Sequence, residues 1–246
     1  MRIGKVVGII QARVGSTRLP NKVIRRLGDK TLLDILLGRL LRSESMDQVV
    51  VATTTKEGDR AIEGIASNRG FEVFRGSERD VLDRYYNAAK KYEAQIIVRI
   101  TADNPLTDIS LIDSQVRLLI ERAYDYVTTK TILGLGSEVF TFDALQKAWE
   151  SAGYEYQREH VTPYIYENPS QFRIGRFDPP PLLDRDDIRL TVDTAEDFEL
   201  YQRLQERFGD LSGVEMQEIL EFLEDNPDVK SINTMVRQKD YREVEG

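Results

Sequence analysis

The sequence predicts an α/β protein built on a mostly parallel, doubly wound sheet. Three observations carry that expectation. Short apolar runs, fit for strands buried on both faces, alternate with segments of helical spacing through the first half of the chain. Turn-forming residues separate them. Two charged, polar loops fall where strands would end, which is where sheets of this kind place ligands.

The elements follow in order. Val6 to Ile10 is an apolar run read as the first strand, followed by a Gly/Ser/Pro/Lys loop from Gln11 to Lys22. Leu33, Leu36, Leu37, Leu40 and Leu41 recur at helical spacing. Gln48 to Thr53 is a second buried strand, and Asp59 to Arg69 a helix closed by Gly70. Phe71 to Phe74 is a third strand. The stripe Leu82, Tyr86, Ala89 and Tyr92 predicts a helix over Val81 to Tyr92. Ile96 to Ile100 is a fourth strand, running into Thr101-Ala102-Asp103-Asn104-Pro105, and a helix follows from about Leu111 to Arg122. The two polar strand ends thus bring Arg13, Lys22 and Asp103 toward one crevice.

From about Tyr124 the rhythm changes. Strand candidates at Asp125 to Thr128, Val139 to Phe142, Phe172 to Arg176 and Ile188 to Val192 stand among less regular segments. Pro179 to Pro181 mark a stiff connection, and helices are expected around Ala195 to Phe208 and Val214 to Leu223. The tail KDYREVEG reads as solvated. There is no internal repeat. The expectation is one domain over residues 1–246, with a nucleotide-binding half to about 123 and an acceptor-binding part from about 124.

Composition narrows the chemistry. The 246 residues are 41% hydrophobic and 31% charged, enough for a full core without staples. With no cysteine and one histidine, His160, disulfides, thiolate zinc sites and cysteine nucleophiles are excluded, as is a histidine-rich metal cluster. A net charge of −8 argues against nucleic acid as partner. The start MRIGKVVGIIQ does not read as a secretory signal and no stretch approaches a membrane span, so the expected location is the cytoplasm.

The most informative segment is QARVGSTRLPNK, Gln11 to Lys22. Gly15 and Ser16 permit a turn and close approach of backbone N–H groups to a ligand. Arg13, Arg18 and Lys22 add three cations in the same loop. Successive N–H groups with fixed cations suit a polyphosphate. The loop is neither a Walker A motif nor a dinucleotide loop. As composition alone it reads equally as a solvated basic turn.

With Gln11-Ala12-Arg13, Ser16-Thr17-Arg18-Leu19-Pro20 and Lys22, the loop resembles the nucleotide loop of the CMP-sugar synthetases, or cytidylyltransferases, and most of all their SpsF-like branch. Further segments fit in the same order: VVVATTT from Val49, FRGSERDVLDRYYNAAKKY from Phe74, VRITADNPLTD from Val98, EVF from Glu138, REHVTPYI from Arg158 and RLTVDTAEDFEL from Arg189. The resemblance implies a Rossmann-like sheet related to the GT-A glycosyltransferases. It also implies a Mg²⁺-dependent nucleotidyltransferase that takes CTP and a small sugar-like acceptor, and a homodimer. It departs at Ala102, where the family has glycine.

Asp103 precedes Asn104-Pro105 in a loop opening at the sheet edge. Asp193 follows the strand candidate Ile188 to Val192 and reads from sequence as either a helix N-cap or a metal ligand. The resemblance matches both to the metal-binding aspartates. It implies nucleotide contacts from Gln11, Ala12, Arg13, Gly15, Ser16, Arg18 and Lys22, and from Arg75, Gly76, Ser77 and Arg84 near base and ribose. Ser77 reads equally as a helix N-cap. Glu138 and His160 are the acceptor-side candidates, and the histidine reads equally as locally hydrogen-bonded. Tyr85, Tyr86, Tyr92 and Trp149 are read as core. The expected catalytic set is Lys22, Arg13 and Asp103. The alternatives are a GT-A-like glycosyltransferase using a nucleotide sugar and a non-catalytic nucleotide-binding subunit. A hydrolase using His160 is a distant third, since there is no Gly-x-Ser-x-Gly elbow.

Overall fold

The computed structural model of the chain describes residues 4–238 and Arg242. The tail expected from Lys239 onward lies, apart from Arg242, outside the described residues.

The chain opens with strand β1 (Val6–Gln11). A two-stranded ribbon of β2 (Arg26–Leu27) and β3 (Lys30–Thr31) leads into helix α1 (Leu32–Leu40). Then come β4 (Gln48–Thr54), α2 (Arg60–Asn68), β5 (Glu72–Gly76), α3 (Val81–Lys91), β6 (Ile96–Thr101) and α4 (Ile109–Arg122). After them follow β7 (Tyr126–Thr129), β8 (Glu138–Thr141), α5 (Phe142–Ser151), α6 (Glu155–His160), α7 (Pro163–Tyr166) and β9 (Ile174–Phe177). Helices α8 (Ala195–Phe208), α9 (Met216–Asp225) and α10 (Pro227–Lys230) complete the order.

Seven strands form one sheet in the order β5-β4-β1-β6-β8-β7-β9. Pairings of β1 with β4 and β6, of β4 with β5 and of β7 with β9 are parallel, and only β8 runs against its neighbours. The doubly wound α/β expectation therefore holds. Alternation along β1 shows why. Val7 and Ile9 enter the core under α3 and α5, while Val6 and Ile10 enter the core under α1, α2 and α4. A strand buried on both faces needs apolar residues at both parities, and this one has them.

Local signals set the helix ends. Thr31 and Asp34 form a capping box on α1, and Asp108 caps α4 by accepting from the Leu111 N–H at 3.0 Å. Gly70 closes α2 with φ +80°, as its position in the sequence suggests. Three short helices, α5 to α7, stand in the region read as irregular.

One strand expectation fails. Residues 188–192 do not join the sheet; they make an isolated bridge between Arg189 and Leu133. Their backbone bonds go elsewhere. The Leu190 N–H donates to the Leu133 carbonyl at 2.7 Å, and the Val192 N–H to the Asp103 carbonyl at 2.8 Å. The apolar run Ile188, Leu190 and Val192 packs into the core built on α8 and α9 rather than onto a sheet face. Gly134 makes this possible: at φ +106° its Cβ would stand 2.3 Å from the Leu190 carbonyl carbon.

Candidate active site

Because β1, β4, β5 and β6 are parallel, the loops after them meet at one edge of the sheet. The reversed β8 brings its first residue, Glu138, to the same edge, opposite Arg99 of β6. A cleft of about 340 Å³ opens there, a size in the range of small-ligand sites. Among the residues expected at a site, it is lined by Gln11, Ala12, Arg13, Gly15, Ser16, Arg18, Lys22, Arg84, Asp103, His160 and Asp193.

The first loop is pinned from below. The Val14 N–H donates to buried Asp59 at 2.8 Å, and the same carboxylate accepts from the Thr54 hydroxyl at the end of β4. Asn21 sits at φ 59° and turns the chain into a short 3₁₀ segment that begins with Lys22. Gly15 does not take a positive φ, and a Cβ there would meet no protein atom within 4 Å. Its smallness is not a packing demand of the protein; it leaves room beside the cleft.

Asp103 and Asp193, ninety residues apart in sequence, face one another across Lys22. The Lys22 ammonium donates to Asp103 Oδ2 and to Asp193 Oδ1, each at 2.8 Å. Burial works against the charge on Lys22, but the two carboxylates outweigh it and hold its pKa above the ordinary lysine value. Burial likewise pushes Asp103 up, yet Lys22 and a hydrogen bond from Thr101 win and leave its carboxyl below the ordinary value. Arg18 adds a second cation, 3.2 Å from Asp193 Oδ1.

Asp193 is not a helix cap. Thr194 caps α8, in a capping box with Asp197. Asp193 is set instead by a buried cluster behind it. Arg189 donates to Asp193 at 2.9 Å and to Asp197 at 2.8 Å. Asp197 also accepts from the Asp193 N–H at 2.9 Å, and Asn233 ties Asp197 to the Arg189 carbonyl. Sequence reading gave Asp197 only a place near a helix start; Arg189 and Asn233 carried no local signal.

Other expected residues stand elsewhere. Arg75 does not line the cleft; its guanidinium binds the Thr54 and Lys56 carbonyls and Glu63. Gly76 and Ser77 also lie outside the lining. Ser77 does not cap α3, whose N-cap is Asp80; it accepts from the Asp80 N–H at 3.0 Å. Arg84 does reach the cleft. It is 2% exposed, it donates to the Ser77 carbonyl at 2.6 Å, and burial lowers its pKa. Trp149 stacks on Tyr86 at 4.2 Å between ring centroids, and Tyr85 is fully buried with its hydroxyl on the Ile9 carbonyl, so the aromatic residues are core as expected.

Glu138 lies behind the cleft wall rather than in its lining. It pairs with Arg99 and accepts from Tyr126 and from Thr162, the last at 2.8 Å. Arg99 lines the cleft and was missed. A signal existed: an arginine inside the apolar strand IIVRIT is anomalous and asks for a buried partner or a ligand. His160 ends α6 and lines the cleft beside Glu159, which lies 3.8 Å from Arg13. Val161, the next residue, is held at φ 72° and ψ −56°, with the Thr162 N–H on the His160 carbonyl at 2.9 Å. That γ-turn is strained for a β-branched residue, and it fixes the direction in which His160 leaves its helix.

The donor set near Lys22 suits a hard divalent ion. Two carboxylates converge within 2.8 Å of one ammonium. No group of three or more acidic or histidine side chains is assembled among the described residues. Two carboxylates, with phosphate oxygens and water to complete the shell, are what Mg²⁺ uses at nucleotide sites.

A parallel sheet edge that joins a cation-rich turn to two carboxylates is the arrangement of a site for a phosphate-bearing ligand. The family model for cytidylyltransferases matches residues 7–226, and the chain belongs to that family. An uncharacterized protein of Methanocaldococcus jannaschii is 58% identical over 98% of this chain and 99% of its own. The spore coat polysaccharide biosynthesis protein SpsF of Bacillus subtilis is 38% identical over 91% of this chain and 95% of its own. A solved cytidylyltransferase from Leptospira borgpetersenii superposes with a TM-score of 0.87 at 34% identity, covering 96% of this chain and 99% of that one. Among the described residues no helix is long and apolar enough to cross a membrane.

Proposed function

We propose that the cleft binds CTP and a small sugar-like acceptor, and that the protein transfers the cytidylyl group to the acceptor with release of pyrophosphate. The observation that carries this reading is the meeting of Lys22 and Arg18 with Asp103 and Asp193 beside the open Gly15-Ser16 turn. Family membership supports the nucleotide, and the role of SpsF in spore coat polysaccharide biosynthesis supports the class of acceptor.

An acceptor oxygen would attack the α-phosphorus in line, so positioning and charge neutralisation dominate the barrier. The open Gly15-Ser16 turn, with Arg13, Arg18 and Lys22, would hold the triphosphate, and the three cations would take up charge as pyrophosphate leaves. Arg84 would close the nucleoside end. His160, Glu159 and Arg99 would line the acceptor side, with Glu138 behind Arg99. Asp103 and Asp193 would hold Mg²⁺, which when bound polarises the phosphate under attack. No side chain need form a covalent intermediate. A homodimer, which the resemblance implies, and a cytoplasmic location, which the hydropathy of the sequence suggests, belong to the same reading.

The test begins with a thermal-shift panel of CTP, UTP, dTTP, GTP and ATP, each with and without Mg²⁺. A ligand at a hundred times its Kd adds roughly 2.7 kcal/mol, on the order of 5–10 °C in Tm for a chain of this size. A Mg²⁺-dependent shift with CTP, followed by pyrophosphate release on screening acceptors, is expected. Release of a nucleoside diphosphate from a nucleotide sugar instead would refute the reaction. Asp103→Asn should keep its circular dichroism spectrum and lose turnover by at least about a hundredfold; normal turnover would remove Asp103 from its role.

A further inference from the structure

Lys22 stands where a cation bridging the two carboxylates would stand. Its ammonium is 2.8 Å from an oxygen of each, and its side chain is 12% exposed. Asp193 is engaged further, by Arg18 at 3.2 Å and Arg189 at 2.9 Å. The oxygens nearest the meeting point are therefore already in charge-assisted bonds. A divalent ion arriving alone must displace the ammonium toward a cleft lined by Arg13 and Arg18, where the remaining lining carboxylate, Glu159, already lies 3.8 Å from Arg13. An ion arriving with a triphosphate brings that anion with it.

We propose that Lys22 is a tethered placeholder for the divalent ion, which makes metal binding conditional on the nucleotide. Before the nucleotide binds, the ammonium holds the two carboxylates together against their mutual repulsion, and the metal site is preformed but closed. When the metal and nucleotide enter together, the ammonium exchanges two carboxylates for phosphate oxygens, so the protein never exposes an unpaired carboxylate pair or an unpaired lysine. Metal and nucleotide are thereby coupled, each tightening the other by the same factor. The proposal rests on the reading of Asp103 and Asp193 as the metal carboxylates.

Mn²⁺ binding followed by electron paramagnetic resonance tests it on the full chain, without turnover. Wild type should bind Mn²⁺ weakly alone and on the order of a hundredfold more tightly with CTP. Lys22→Met, with Lys22→Gln as a second variant should the first fail to fold, should bind Mn²⁺ without nucleotide at least about tenfold more tightly than wild type. Arg18→Met removes one charge from Asp193 but leaves the bridge, and should gain less in nucleotide-free Mn²⁺ binding than either Lys22 variant. Adding Asp103→Asn to Lys22→Met should abolish the gain. Tight Mn²⁺ binding by wild type alone, no gain in either Lys22 variant, or an equal gain in Arg18→Met would overturn the placeholder. Mn²⁺ binding to none of these proteins, with or without CTP, would overturn the metal reading beneath it and the placeholder together.

Discussion

Asp197→Asn should cost this protein more than any change at the cleft surface. The Asp197 carboxylate is fully buried and accepts from Arg189 at 2.8 and 3.2 Å, from the Asp193 and Thr194 N–H groups at 2.9 and 3.0 Å, and from Asn233 at 2.8 Å. An amide of the same shape offers one acceptor oxygen and turns an NH₂ toward the remaining donors. Each buried donor left unsatisfied costs about 1–3 kcal/mol, and removing one partner of a buried ion pair costs about 3–5 kcal/mol. These overlap, so about 4 kcal/mol is the working figure, or roughly 8–16 °C in Tm at this chain length. The pH dependence has a definite sign. Burial pushes Asp197 up, but Arg189, the Asp193 N–H and Asn233 hold its pKa below the ordinary value. A carboxylate with a depressed folded pKa contributes stability that is fully present above its unfolded pKa and is lost as pH falls through the folded one. The Tm gap between wild type and variant should therefore be flat from pH 8 to about pH 5 and narrow below about pH 4. Differential scanning calorimetry across that range reads both effects. A gap under about 3 °C at pH 7.5, or one that widens in acid, would refute the reasoning.

Two further outcomes follow from the same framework. Gly134→Ala should destabilise by about 2–4 kcal/mol, since the new methyl meets the Leu190 backbone at 2.3 Å and the residue sits at φ +106°; calorimetry should show it, and CTP binding should weaken because residues 188–192 carry Asp193. Arg99→Met should cost about 3–5 kcal/mol by leaving Glu138 buried without its cationic partner, whereas Arg99→Met with Glu138→Met should recover much of that loss; urea titration of these two variants and of Glu138→Met alone would show additive losses if the pair were not coupled.

Much of this protein was legible in one dimension. The alternation of β1 through α4 fixes strands and helices because burial on both faces demands apolar residues at both parities, a pattern that needs no partner to be read. The QARVGSTRLPNK loop could be placed at a strand end for the same reason, and its cations were visible as composition. Asp103 could be placed in that crevice because it follows a strand and Pro105 keeps Asn104 out of the helical region.

What tertiary structure alone decided is how distant residues meet. Residues 188–192 have the composition of a strand, but their backbone pairs with Leu133 and Asp103, and no local propensity encodes which partner wins. Asp193 reads from sequence equally as a helix cap because a cap is a local contact, whereas Lys22 and Arg18, which hold its carboxylate at the cleft, come from the other end of the chain. Arg75 and Arg84 are alike as residues, and only the folded chain leaves Arg75 outside the cleft, on the Thr54 and Lys56 carbonyls, and Arg84 in its lining. A sequence states which groups are available and which faces they share. Which charge finds which is settled by long-range packing, because an ion pair in a buried site is selected by the elements that exclude water around it and not by the residues beside it in the chain.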